Sequence, residues 1–204
     1  MGFKPESDDA CASLALTENR FLDEYFRMDS RGKITMLLSE FYAIPEKLQG
    51  SRDILRMDVI CERDYQRSRM DDGVRVQTSH LSDTTGNEAI HNVMLEEAIL
   101  SGDIGKVVRD IESGKIFQYR LRQIESLKND FAFVQGFIRM LPTRDRLLLE
   151  EYHRCCGDRH QIEELADNYE LQLHSLYVRI GRIRLKITDM ALPGFDRRYG
   201  GNAA

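Results

Sequence analysis

Tryptophan is missing from this 204-residue chain, proline occurs four times, and cysteine occurs four times. No apolar run approaches the ~18 residues of a membrane-spanning helix, so nothing in the sequence is expected to cross a bilayer. The opening "MGFKPESDDACASLAL" lacks the charged-then-apolar layout of a secretory signal, and the expected location is the cytoplasm. A reduced state is expected for Cys11, Cys61, Cys155 and Cys156, none of which form a C-x-x-C pair. There is no P-loop, no G-x-G-x-x-G and no convergent nucleophile–base set, and His80, His91, His153, His160 and His174 are scattered. Catalysis is therefore not expected, nor is any cofactor.

What remains is a helix-forming composition. Apolar residues make up 42% and charged residues 31%, Leu, Glu, Arg, Ile and Asp dominate, and β-branched runs are scarce. The expected fold class is all-α. An elongated helical N-terminal region with long, coiled-coil-like amphipathic helices should precede a C-terminal helix-turn-helix domain.

Along the chain, residues 1–30 read as an acidic N-terminal extension ending in a short helix, "TENRFLDEYFRM", with Thr17 as its candidate N-cap. Residues 31–140 read as a helical region. A second helix starts near Ser30 or Lys33, and Pro45 marks a break or a fresh start before a long charged helix from Glu46 to Arg69. Periodicity vanishes near residues 70–87, a polar linker rich in Asp, Ser, Thr and Gly, and helix returns at Glu88. After the break "SGDIGK", the residues Leu121, Ile124, Leu127, Phe131, Val134, Ile138 and Leu141 recur at threes and fours, the stripe of a bundle helix.

Residues 141–190 hold three compact segments. "TRDRLLLEEYHR", capped by Thr143, would bury Leu147, Leu148 and Tyr152, and "HQIEELADNY" would bury Ile162, Leu165, Ala166 and Tyr169. Between them "HRCCGDRH" gathers His153, Cys155, Cys156 and His160. Adjacent cysteines on a helix end point about 100° apart and converge poorly on one ion, so no metal is expected there. The third segment, "HSLYVRIGRIRLKITDM", follows the short connection "ELQL". Residues 191–204 read as a flexible tail.

The chain carries a net charge of −5, yet no acid occurs from Leu171 through Thr188. On a helical wheel Leu176, Ile180, Ile183, Ile187 and Met190 share an arc of about 80°, and Ser175, Arg179, Arg182 and Lys186 share a neighbouring arc of about 60°, with Arg184 on the opposite flank. A buried edge beside a basic stripe suits a helix lying in the major groove. Five residues are candidates for DNA contact: His174, Ser175, Arg179, Arg182 and Lys186. Basic residues late in a helix are also common as a solvated face.

The stretches "LPTRDRLLLEEYH", "IEELADNY" and "LYVRIGRIRLKI" resemble region four of primary-type sigma factors. Val76 to Ile99, "VQTSHLSDTTGNEAIHNVMLEEAI", resembles the polar linker and following helix of phage late-transcription regulators of the RinA and ArpU type. Together the resemblance covers roughly residues 46–188. Glu170 stands where the family has its turn glycine, and the connection from Tyr152 to Ile162 is longer than the family's. The resemblance implies a phage or prophage transcription regulator in a bacterial host cell. Its partners would be double-stranded promoter DNA, bacterial RNA polymerase and further copies of itself. Two other readings stay open: a helical adaptor that binds polymerase or another phage protein without DNA, and a small terminase-like packaging subunit.

Overall fold

A computed structural model of the chain describes residues 17–70, 84–155 and 157–200. Those residues form helices and connecting turns with no strand. In chain order the helices are α1 (Arg20–Arg27), α2 (Ser30–Ser39), α3 (Ile44–Met70), α4 (Thr84–Ser101), α5 (Gly114–Arg139), α6 (Thr143–Arg154), α7 (Arg159–Asn168) and α8 (Leu173–Tyr199). None is long and apolar enough to cross a membrane.

Local chemistry sets several helix starts. Asn19, not Thr17, caps α1: its side chain accepts from the Leu22 amide at 3.1 Å and donates to Ser51 Oγ at 2.7 Å. Thr17 instead donates its amide and hydroxyl to the Asp58 carboxylate on α3, at 3.2 and 2.5 Å. Asp29 caps α2 through the Gly32 amide at 2.7 Å. Pro45 is the second residue of α3, where a missing N–H costs no helix hydrogen bond. The proline is therefore a fresh start. Residues 84–87, expected as the end of the linker, form the first turn of α4, and residues 71–83 lie outside the described residues.

The periodic stripe of α5 is the axis of the core. Leu121, Ile124, Leu127, Phe131, Val134, Ile138 and Leu141 are all buried, packed on by α1, α2, α3 and α8. Coiled-coil-like spacing here serves packing within one chain. α1 contributes fully buried Leu22 and Tyr25, so it is part of the bundle and not an extension from it. α4 packs on α3 through buried Leu95 and Ile99, whereas Ile90, Val93, Met94 and Leu100 on its other side are at least half exposed.

The largest departure from expectation is at the C-terminus. α8 does not stop near Met190. It continues for nine further residues as helix, through exposed Pro193, and buries Ala191 and Phe195 completely. This half of α8 lies against α2 and α5. Gly194 leaves room there for the Phe133 ring, which would have to shift from a Cβ standing 2.6 Å away. Residues 201–204 lie outside the described residues. Because α8 also carries α6 and α7, buried residues on both sides of residue 141 belong to one contiguous core.

Within that core sits a fully buried carboxylate, Asp130 on α5. Tyr25 Oη donates to its Oδ2 at 2.7 Å, Tyr199 Oη donates to the same oxygen, and Arg198 donates to Oδ1. The buried Lys33 ammonium lies 4.8 Å from the Tyr199 ring centre and donates to the Met28 carbonyl. The cluster joins α1, α2, α5 and the end of α8.

Candidate nucleic-acid interface

α6 begins after Pro142, which occupies the N-cap, so Thr143 is the first helical residue and not the cap. Its inward residues are Leu148 and Leu149, both fully buried, while Leu147 is 43% exposed and Tyr152 is half-buried. Leu149 lies about 200° from Leu147 on the wheel, so the buried arc of α6 is turned away from Leu147 and toward Leu149. Phe41 stacks on the His153 ring with centres 5.4 Å apart. Burial, and then the charge of Arg184, push the His153 pKa down to about 4. His160 is exposed and lies 3.6 Å from Glu164. Thus the two histidines of the "HRCCGDRH" segment occupy different environments, and no group of metal-ligating side chains is assembled among the described residues. Cys156 and Cys11 lie outside the described residues; Cys155 is buried and donates to the Glu151 carbonyl at 3.3 Å.

α7 starts at Asp158, whose side chain accepts from the His160 and Gln161 amides. It buries Ile162, Leu165 and Ala166, as its sequence predicts, with Tyr169 half-buried at its C-cap. The turn to α8 is tight. The Glu170 amide donates to the Asp167 carbonyl and the Leu171 amide reaches back to the Ala166 carbonyl at 2.9 Å, the two bonds of a Schellman motif. That motif needs a left-handed residue after the cap, and Glu170 supplies it with φ of 54°. It is the single non-glycine residue with positive φ among the described residues. A side chain in that region is strained relative to glycine.

On α8, Leu176, Ile180, Ile183 and Ile187 are buried and Met190 is half-buried, as the wheel predicts. Beside them a groove of about 640 Å³ runs along the helix. Its lining includes all five residues selected from sequence, His174, Ser175, Arg179, Arg182 and Lys186. Arg184 lies elsewhere: its guanidinium sits 5.3 Å from the centre of the Tyr152 ring, and burial lowers its pKa. It is a packing residue that joins α8 to α6.

Besides those five, the groove is lined by Ile183 of the core arc, by Val178 and by Asp145. Val178, 38% exposed, lies on the outward face between His174 and Arg182, outside both the core arc and the basic arc of the wheel. Asp145, in the first turn of α6, closes one side of the groove, and Arg179 Nη2 donates to its Oδ1 at 2.7 Å. No spacing rule links positions 34 residues apart, so this pairing exists only through the fold. The acids on α7 and the turn, Glu164, Asp167 and Glu170, are exposed beside α8. A polyanion therefore meets positive charge along α8 and repulsion over α7. The chain matches no protein-family model, no curated protein and no solved structure.

Proposed function

We propose that the chain is a phage or prophage transcription regulator that lays α8 in the major groove of promoter DNA, alone or together with bacterial RNA polymerase. The observation that carries this reading is the convergence of His174, Ser175, Arg179, Arg182 and Lys186 on one groove, beside a continuous buried face. Helix, left-handed turn and basic helix follow one another as in helix-turn-helix readers, whose second helix presents its N-terminal residues to base edges. Val178 adds an apolar surface suited to a thymine methyl. The reading involves no catalytic step and belongs to the cytoplasm of a bacterial host.

The adaptor reading is favoured by one specific observation, the exposed acids on α7, which oppose the backbone crossing usual for the first helix of such a unit. A gel-shift of the full chain on DNA flanking its gene, with and without polymerase, separates the two. Under the DNA reading, Arg182→Ala weakens specific binding by about 1–3 kcal/mol. Lys186→Ala weakens binding to all sequences alike and lowers the salt slope by about one. Retained DNA affinity in both variants, with loss of polymerase binding, would give the adaptor reading its place.

The bare face of α4 (Ile90, Val93, Met94 and Leu100) supports self-association. Sedimentation velocity of the intact chain should show a species heavier than one copy, and Val93→Glu should return it to the monomer. A wild-type chain that sediments as a monomer at every concentration sinks this part of the proposal. A closed ring would instead speak for the packaging subunit.

A further inference from the structure

The carboxylate of Asp145 is out of place in a groove proposed to hold DNA. It stands among Arg179, Arg182 and Lys186, and it is partly exposed, with 27% of its side-chain surface accessible. A carboxylate there repels phosphate and withdraws one cation from general attraction. It also fixes that cation. Arg179 is a flexible side chain with five N–H donors; with Nη2 held at 2.7 Å by a residue on a different helix, its guanidinium is restrained within the groove it lines and keeps other donors for a ligand. Polar groups held in place by such support discriminate between partners better than freely rotating ones.

We propose that Asp145 is a positioning residue that makes Arg179 a reader of guanine: it sacrifices general affinity for DNA and gains sequence discrimination. The proposal rests on the DNA reading above. Its chemistry is specific, since a guanidinium held in one plane can donate to both N7 and O6 of a guanine, whereas a mobile one is satisfied by any phosphate. Phosphate contacts position a protein without carrying sequence information. Releasing Arg179 from Asp145 should therefore move its contribution from base edge to backbone.

The test compares the full-length protein with Asp145→Asn, Arg179→Ala and the double variant. The probes are a duplex selected by the wild-type chain from a random pool and a scrambled duplex of equal composition. Asparagine keeps the shape of the side chain, and circular dichroism melts check that each variant folds. Asp145→Asn is expected to bind the scrambled duplex more tightly with a steeper salt slope, and to lose about tenfold in discrimination between the duplexes. With Arg179→Ala already present, Asp145→Asn should alter affinity for both duplexes equally, because no guanidinium remains to be aimed. Replacing the contacted guanine by 7-deazaguanine should cost the wild type affinity and leave Asp145→Asn almost unaffected. Unchanged discrimination in Asp145→Asn overturns the inference while leaving the DNA reading intact. Failure of the wild-type selection to enrich any sequence overturns both.

Discussion

Replacing Asp130 by alanine should lower the free energy of unfolding by about 3–5 kcal/mol, the usual effect of removing one partner of a buried charged network. The loss is large because three donors converge on one fully buried carboxylate. Alanine leaves the Tyr25 hydroxyl without its acceptor at a fully buried site, and removes the acceptor of half-buried Tyr199 and of Arg198, whose side chain is 45% exposed. Asp130→Asn retains one carbonyl oxygen and should cost less, about 1–3 kcal/mol. Urea melts read both. A small effect of alanine would show that these donors find other partners, and the cluster would not be a fastener of α1, α5 and α8. The same network gives a dependence on alkaline pH. Burial, and then the Asp130 carboxylate, push the Tyr25 hydroxyl well above the usual phenol range, and burial together with its bond to Asp130 does so for Tyr199. Both groups are neutral in the fold at pH values where an unfolded tyrosine ionises. Their stabilisation is fully present below pH about 10 and is lost as pH rises above it. Tyr25→Phe should be less stable at neutral pH and should show a shallower alkaline decline.

Phe195→Ala should be nearly as damaging, at about 3–5 kcal/mol. Phe195 is 1% exposed, with the Phe133 ring 6.1 Å and the Tyr199 ring 6.0 Å from its own. Gly194 lets the Phe133 ring approach α8, so truncation of Phe195 also removes a packing partner of that ring. Differential scanning calorimetry provides the check, with Arg197→Ala, an exposed neighbour, as the unaffected control. A melting temperature close to that of the wild type would mean that the last two turns of α8 are not integral to the core.

Neither of these two residues follows from the spacing of apolar residues alone. The all-α class, the α5 stripe and the buried edge of α8 follow from apolar residues recurring every three or four positions, because helical periodicity projects directly onto a packing face. The five groove residues were legible for the same reason. The end of α8 was not: Pro193 and Gly194 carry the usual marks of a helix stop, and only contact with Phe133 and the bundle overrides them. Asp130 was invisible because it interrupts an apolar stripe as one polar letter, with partners 105 and 69 residues away. Asp145 was hidden similarly, as an ordinary first-turn acid whose Arg179 partner arrives from α8. Residue type and spacing report faces; they do not report which faces meet.

α8 is 27 residues long, about 40 Å of continuous helix, with its basic groove toward one end and the Asp130 cluster at the other. A single rod of this kind cannot be divided at a domain boundary. A fragment covering residues 141–190 would lack Phe195, Arg198 and Tyr199 and would leave uncovered the part of α8 that faces α2 and α5. If α8 holds DNA as proposed, deletion mapping would then record loss of binding for truncations on either side of the groove, including regions that only hold the rod. Conversely, a ligand seated on the groove should protect amides of α1 and α2 from hydrogen exchange, since global opening of either end releases the other.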